Sequence, residues 1–170
     1  MSASLSARPG MHLAGRALAF LALFAVLNLA YLALKEPWLK PLVIDLLTVR
    51  PAARLADALL AAPVQADRHV LVAGGWRISV LNGCEGVDAM LLLLAAVVVA
   101  PAGWRDRLWG AGLGLPLVYL ANQARIVALA WARLDMPAAF ALGHGLLGPL
   151  AVTAAAGLYF LWWSGVCLRR

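Results

Sequence analysis

Two cysteines occur in the chain, and one of them has surroundings suited to chemistry. Cys84 lies in Asn82-Gly83-Cys84-Glu85-Gly86-Val87-Asp88-Ala89-Met90, a polar, glycine-rich stretch between a strand-like run and a long apolar run. A thiol at the start of a helix faces unpaired backbone N–H groups and the positive end of the helix dipole, which favours the thiolate. Two further candidates, Arg125 and His144, sit in or beside later apolar runs. Together the three types supply a nucleophile, a proton carrier and a cation for a developing anion, the components of acyl transfer through a thioester. Asn122 lies one helical turn before Arg125, and Asp88 one turn after Cys84, where its carboxylate is available to hold Arg125. Plainer roles exist for each: cysteine as a small apolar filler, histidine as a satisfied boundary residue, arginine snorkelling to headgroups. Ionisable residues inside a membrane are nevertheless functional candidates by default. Cys167, at the far end of the chain, is expected to be inert.

Whether these residues meet depends on the elements that carry them. The 170 residues are 64% hydrophobic and 13% charged, with mean hydropathy +0.87. Soluble domains are only about half apolar, so the composition indicates a membrane protein. The net charge of +6 does not indicate a nucleic-acid partner, because the basic residues are scattered and flank apolar runs. Membrane lipid is the expected surrounding. Two cysteines exclude a disulfide scaffold.

The reading is an all-α integral membrane protein, one membrane domain with about four spanning helices. The first, 17–34, has just the length needed to cross and is too long for a signal-peptide core; Asn28 within it is expected to bond to another helix. Lys35-Glu36-Pro37-Trp38 is expected to end it. Residues 35–83 then form an extracytoplasmic section. In it, 41–62 read as an amphipathic helix kinked near Pro51, either on the membrane surface or packed on the spanning bundle, two placements with the same pattern. The runs 69–73 and 76–81, joined at Gly74-Gly75, read as a β-hairpin that must lean on that helix. Further spans are expected at 84–102, 108–130 and 144–166. Gly110 and Gly114 form a small-residue contact face on the third. Residues 131–143 form a connection whose Asp135-Met136-Pro137 is a helix-start signal.

Four spans place both termini on one side. Arg8, Arg16, Arg105, Arg107, Arg169 and Arg170 lie on that side, against Lys35, Lys40, Arg50, Arg54, Arg68, Arg77 and Arg133 on the other. Short loops weigh most, and Arg105 with Arg107 outweighs Arg133, so the termini are expected in the cytoplasm. Cys84 then opens helix two at its outer end, and His144 opens helix four there. Arg125, 17 positions beyond Leu108 and thus about 26 Å along helix three, reaches the same depth.

Other chemistries lack their patterns. His12, His69 and His144 occur singly, without paired cysteines, so no metal or haem site is expected. There is no nucleophile elbow and no phosphate loop after a strand. No cofactor is expected. What the residues do resemble is the exosortase/archaeosortase family, and within it the small exosortase H form. The similarity lies in the Cys84 motif at 82–90, in Asn122-Gln123-Ala124-Arg125-Ile126 and in His144, in that order and spacing, across roughly 37–166. Glu85 stands where the family pattern has Asn, and Asp88 where it has Glu.

The resemblance implies a membrane-embedded cysteine transpeptidase or protease of the bacterial cytoplasmic membrane with its site toward the extracytoplasmic face. Its substrates would be exported proteins carrying a C-terminal motif, a transmembrane helix and a basic tail. Cys84, Arg125 and His144 would be catalytic, with Asn122, Asp88 and Asn82 supporting. An alternative from the residues alone is a non-enzymatic transport or assembly subunit in which Arg125 and Asp88 form a structural ion pair. A third is a cysteine hydrolase that releases its substrate without transfer.

Overall fold

The computed structural model describes residues 13–73, 75–80 and 83–167. Helix α1 runs Leu13–Leu34 with mean hydropathy 2.4, and Tyr31 is its one buried residue. Its 22 residues rise about 33 Å, enough for a hydrocarbon core of about 30 Å. The helix does not stop at Lys35-Glu36-Pro37-Trp38 as the sequence suggested. The chain continues over Lys35–Val49 as a widened helix, exemplified at its end by the Arg50 N–H reaching five residues back to the Asp45 carbonyl. Pro41, inside this segment, has no N–H to give to an ordinary ladder. Regular helix resumes as α2, Arg50–Leu59, with Pro51 in its first turn, where a missing donor costs nothing. Ala52, Ala53 and Ala56 are buried on one face of α2, while Arg50, Arg54 and Asp57 face outward.

That small-residue face packs on an antiparallel sheet of three strands, β1 Val64–Asp67, β2 Val70–Ala73 and β3 Trp76–Ser79. The hairpin expected around Gly74-Gly75 is β2–β3, with Ala73 opposite Trp76 and Leu71 opposite Ile78. Strand β1 was not expected; it pairs Val64 with Ala73 and Asp67 with Val70. Only Val64 of its residues is buried, so it lacks the apolar alternation that marks a strand. Asp57 of α2 fixes its start by accepting the Val64 N–H at 2.9 Å.

The helix expected over 84–102 is shorter. Helix α3 occupies Val87–Val99, 13 residues, or about 20 Å. Gly86 before it is left-handed (φ 77°), and Ala100 after it turns to extended backbone ahead of Pro101. Among the described residues, three helical runs are long and apolar enough to cross a membrane: α1, Trp104–Asp135 and Pro137–Cys167. Trp104–Asp135 is α4, longer at both ends than the expected 108–130. The start signal at Pro137 does open a helix, α5 Pro137–Leu142. It passes through a widened turn, Gly143–Leu147, straight into α6, Gly148–Cys167. His144 therefore lies well inside a helical run, where the sequence placed it at a helix start.

Helix α3 touches α1, α4 and α6, and α4 also packs against α2 and α5. Two apolar cores result. One gathers the widened segment, α2, the sheet and Ile126 and Ala130 of α4. The other gathers Leu93 and Val97 of α3, Val118 of α4 and Tyr159 and Trp163 of α6. The contact face expected on α4 is present. A Cβ on Gly110 would lie 2.6 Å from Trp163 and one on Gly114 2.4 Å from Tyr159, whereas one on Gly112 would meet nothing. Tyr159 and Trp163 also donate hydrogen bonds to the Gly110 and Asp106 carbonyls, at 2.8 and 3.1 Å.

Gly114→Ala is accordingly expected to lower the unfolding temperature in detergent, since overpacking costs about 1–3 kcal/mol, while Gly112→Ala leaves it unchanged. Equal melting of the two variants would show that the α4–α6 seam is loosely packed.

Candidate active site

The site is assembled at the turn that precedes α3. Gly83 and Gly86, at φ 83° and 77°, bracket Cys84 and Glu85. Gly86 has a second reason to lack a side chain, because a Cβ would come within 2.6 Å of the Asn122 side chain. Asn122 is fully buried and uses this proximity to donate from Nδ2 to the Cys84 carbonyl at 3.1 Å. Arg125, one turn on, is 7% exposed. Its Nη1 donates to the Gly83 carbonyl at 3.2 Å and to Asn122 Oδ1 at 3.4 Å. Its Nη2 lies 3.7 Å from Cys84 Sγ. The guanidinium thus holds the backbone of the turn with one nitrogen and faces the sulfur with the other.

His144 approaches the same sulfur from the widened turn before α6. Both ring nitrogens, Nδ1 and Nε2, are 3.8 Å from Sγ. Short widened turns inside helices are uncommon and concentrate at functional sites. The ring stacks on Phe140, with centroids 5.6 Å apart and planes 9° from parallel, and the Arg133 guanidinium lies 5.4 Å from the centroid of the same Phe140 ring. Next to it Gly148 leaves room for the arginine: a Cβ there would sit 2.5 Å from Arg125 Nε.

Cys84, Arg125, His144 and Asn122 therefore converge, from the pre-α3 turn, α4 and the α5–α6 run. Asp88 does not join them. It hydrogen-bonds Asn28 of α1, so Asn28 does make the interhelical bond its type suggested. Among the described residues no ion pair links Asp88 to Arg125, whose three partners are those given above. The structural Arg125–Asp88 pair of the non-enzymatic alternative is not formed. The reason is geometric: one turn along α3 from the Cys84 loop, Asp88 comes round to the α1 side. Asn82 lies outside the described residues. Gly148 and Phe140 were not singled out in the sequence, although Gly143-His144-Gly145 with Gly148 is a visible cluster of small residues around the histidine.

The arrangement defines a class, a helical membrane bundle in which an imidazole and a guanidinium both lie within 4 Å of one thiol sulfur. The family model described as transmembrane exosortase (Exosortase_EpsH) matches residues 1–162, and the chain belongs to that family. No curated protein and no solved structure matches it.

The steric reading of Gly148 is testable without any substrate. In a Cys167→Ala background, Gly148→Ala should displace Arg125 and slow iodoacetamide alkylation of Cys84 about tenfold, since thiolate character follows the neighbouring cation. Gly145→Ala, in open space, should alkylate at the parent rate. Equal rates in both would mean that Arg125 does not govern the sulfur.

Proposed function

We propose that this chain is a membrane cysteine transpeptidase or protease that cleaves C-terminal sorting signals of exported proteins through a thioester on Cys84. One observation carries the reading: Cys84 Sγ lies 3.7 Å from Arg125 Nη2 and 3.8 Å from both ring nitrogens of His144, in a member of the transmembrane exosortase family.

In the first half-reaction the Cys84 sulfur attacks a peptide carbonyl of the substrate and forms the C–S bond. Arg125 Nη2, already beside the sulfur, neutralises the thiolate and then the oxyanion of the tetrahedral intermediate. The C–N bond breaks as His144 gives its proton to the departing amine. In the second half-reaction an acceptor, water or another nucleophile, loses its proton to His144 and attacks the thioester, and the sulfur leaves. Asn122 keeps the Cys84 carbonyl and the guanidinium in register. The membrane setting suits a substrate whose cleavage point adjoins its own transmembrane helix. In the proposed orientation α3 makes a fourth, short crossing, both termini are cytoplasmic, and Cys84, α2 and the sheet lie toward the extracytoplasmic side of a bacterial cytoplasmic membrane.

Processing of a reporter ending in motif, transmembrane helix and basic tail tests the chemistry. Cys84→Ala should abolish it while the protein still accumulates in the membrane, and Cys167→Ala should have no effect. Arg125→Lys keeps the charge but loses the planar fork, and turnover should fall about 10²–10³-fold. Normal reporter maturation in Cys84→Ala would refute the enzyme.

Orientation has its own measurement. With both native cysteines replaced by alanine, single cysteines at Gly75 and Asp106 should label from opposite sides of the membrane. Labelling of the Asp106 site by an impermeant reagent in intact cells, with Gly75 silent, would invert the topology.

A further inference from the structure

Arg125 and Asn122 hold the Cys84 turn from the α4 side only. From the opposite side the turn is tied to the end of α1 through Glu85, the residue after the thiol. Glu85 is 4% exposed, and its Oε1 forms an ion pair with Lys35 Nζ, itself 3% exposed. The Tyr31 hydroxyl donates to the same oxygen at 3.2 Å, and the Lys35 ammonium lies 5.3 Å from the Tyr31 ring centroid. One turn before Tyr31, Asn28 hydrogen-bonds Asp88, one turn after Glu85. Two positions of the Cys84 motif, three residues apart, are thus tied to two successive turns of the first helix.

This arrangement is a poor source of stability. A buried ion pair gains little over apolar side chains of the same size, because both charges must be desolvated. Among the described residues the Oε2 atom of Glu85 is buried without a hydrogen-bond partner, which adds to the desolvation cost. The turn, however, needs an external anchor. Gly83 and Gly86 flank it with left-handed backbone, and glycine is the residue whose conformation is least restricted by its own sterics. The α4 contacts reach the carbonyls of Gly83 and Cys84, whereas Glu85 supplies a side-chain contact from the other face.

We propose that Lys35 and Glu85 are positioning residues for Cys84: their buried pair fastens the Cys84–Gly86 turn to α1 and so fixes the sulfur between His144 and Arg125. The proposal rests on Cys84 being the reacting thiol. It assigns the end of α1 a part in the site, through Tyr31 and the lysine that follows the helix. The charged and titratable groups around the turn are Lys35, Tyr31 and Asp88 on the α1 side and Arg125 and His144 on the other.

The test uses the full chain in membranes with Cys167→Ala, so that Cys84 is the lone thiol. The decisive variant is the double substitution Lys35→Met with Glu85→Gln, which removes both charges and leaves neither unpaired. It should accumulate like the parent, yet its second-order alkylation rate with iodoacetamide at neutral pH should fall at least about tenfold. The kcat of reporter processing should fall with it while KM stays close to the parent value, the pattern expected when a reacting atom is misplaced. Parent-like alkylation and kcat in the double variant would overturn the proposal and reduce the pair to packing. Should the double variant fail to accumulate, Glu85→Asp decides, because it keeps the charge and shortens the reach by one methylene. A roughly tenfold slower alkylation supports the anchor, and an unchanged rate overturns it. Alkylation needs no substrate, so absence of reporter processing in the parent would refute the proposed activity while the anchor was still decided by the thiol.

Discussion

A guanidinium buried in an apolar bundle must find its acceptors inside the protein, and the region around Arg125 is arranged by that requirement. At 7% exposure Arg125 is cut off from water, and an unpaired charge there would cost more than most single interactions can return. Its terminal nitrogens reach the Gly83 carbonyl, Asn122 Oδ1 and Cys84 Sγ, while Nε is buried without a hydrogen-bond partner among the described residues. Satisfying the arginine therefore draws the pre-α3 turn against α4. Gly86 lets Asn122 approach that turn, and Gly148 lets α6 approach the arginine. Cys84 and His144 are brought together by the same constraint.

The helical irregularities follow the polar groups. The widened turn Gly143–Leu147 carries His144 and lies where α6 must pass over Arg125. The longer widened segment, Lys35–Val49, begins with the lysine that meets Glu85. It also presents the Leu47 carbonyl to Tyr119 and Gln123 of α4, at 2.8 and 3.4 Å. Regular helix is kept where contacts are apolar, as between α3, α4 and α6 around Leu93, Tyr159 and Trp163. In a membrane the hydrophobic effect does little to draw helices together, so small residues and polar bonds set their relation. Gly110 and Gly114 do this at one end of the bundle, and Asn122, Arg125 and Glu85 at the other.

The site lies where the spanning helices meet the small cap of α2 and three strands. Cys84 packs at the edge of the core formed by Ile44, Ala53, Leu71 and Ile126, with Phe140 beside it. This gives the sulfur an apolar wall on the cap side and charged neighbours on the bundle side. The proposed substrate, a peptide next to a transmembrane anchor, has the same division, with a polar reacting carbonyl and an apolar flanking helix.

Much of this was legible in the chain itself. Long apolar runs ended by basic and aromatic residues announce membrane helices, because hydrocarbon tolerates nothing else of that length. The Cys84 motif, Asn122 with Arg125, and His144 were visible as candidates because each is a polar or reactive group where an apolar one would be cheaper. The glycine pair at 74–75 announced a hairpin for the same local reason. Tertiary structure decided what depends on partners distant in sequence. Strand β1 forms only because β2 offers it an edge and Asp57 holds its start. Helix α3 is short because Gly86 turns left-handed to bring Cys84 under Asn122. Asp88 bonds Asn28 and leaves Arg125 to Asn122, a choice set by which side of α3 faces α1. The meeting of Lys35 with Glu85, 50 positions apart, was not readable from either neighbourhood. Local sequence states which groups must be satisfied, and only packing of the helices states by whom.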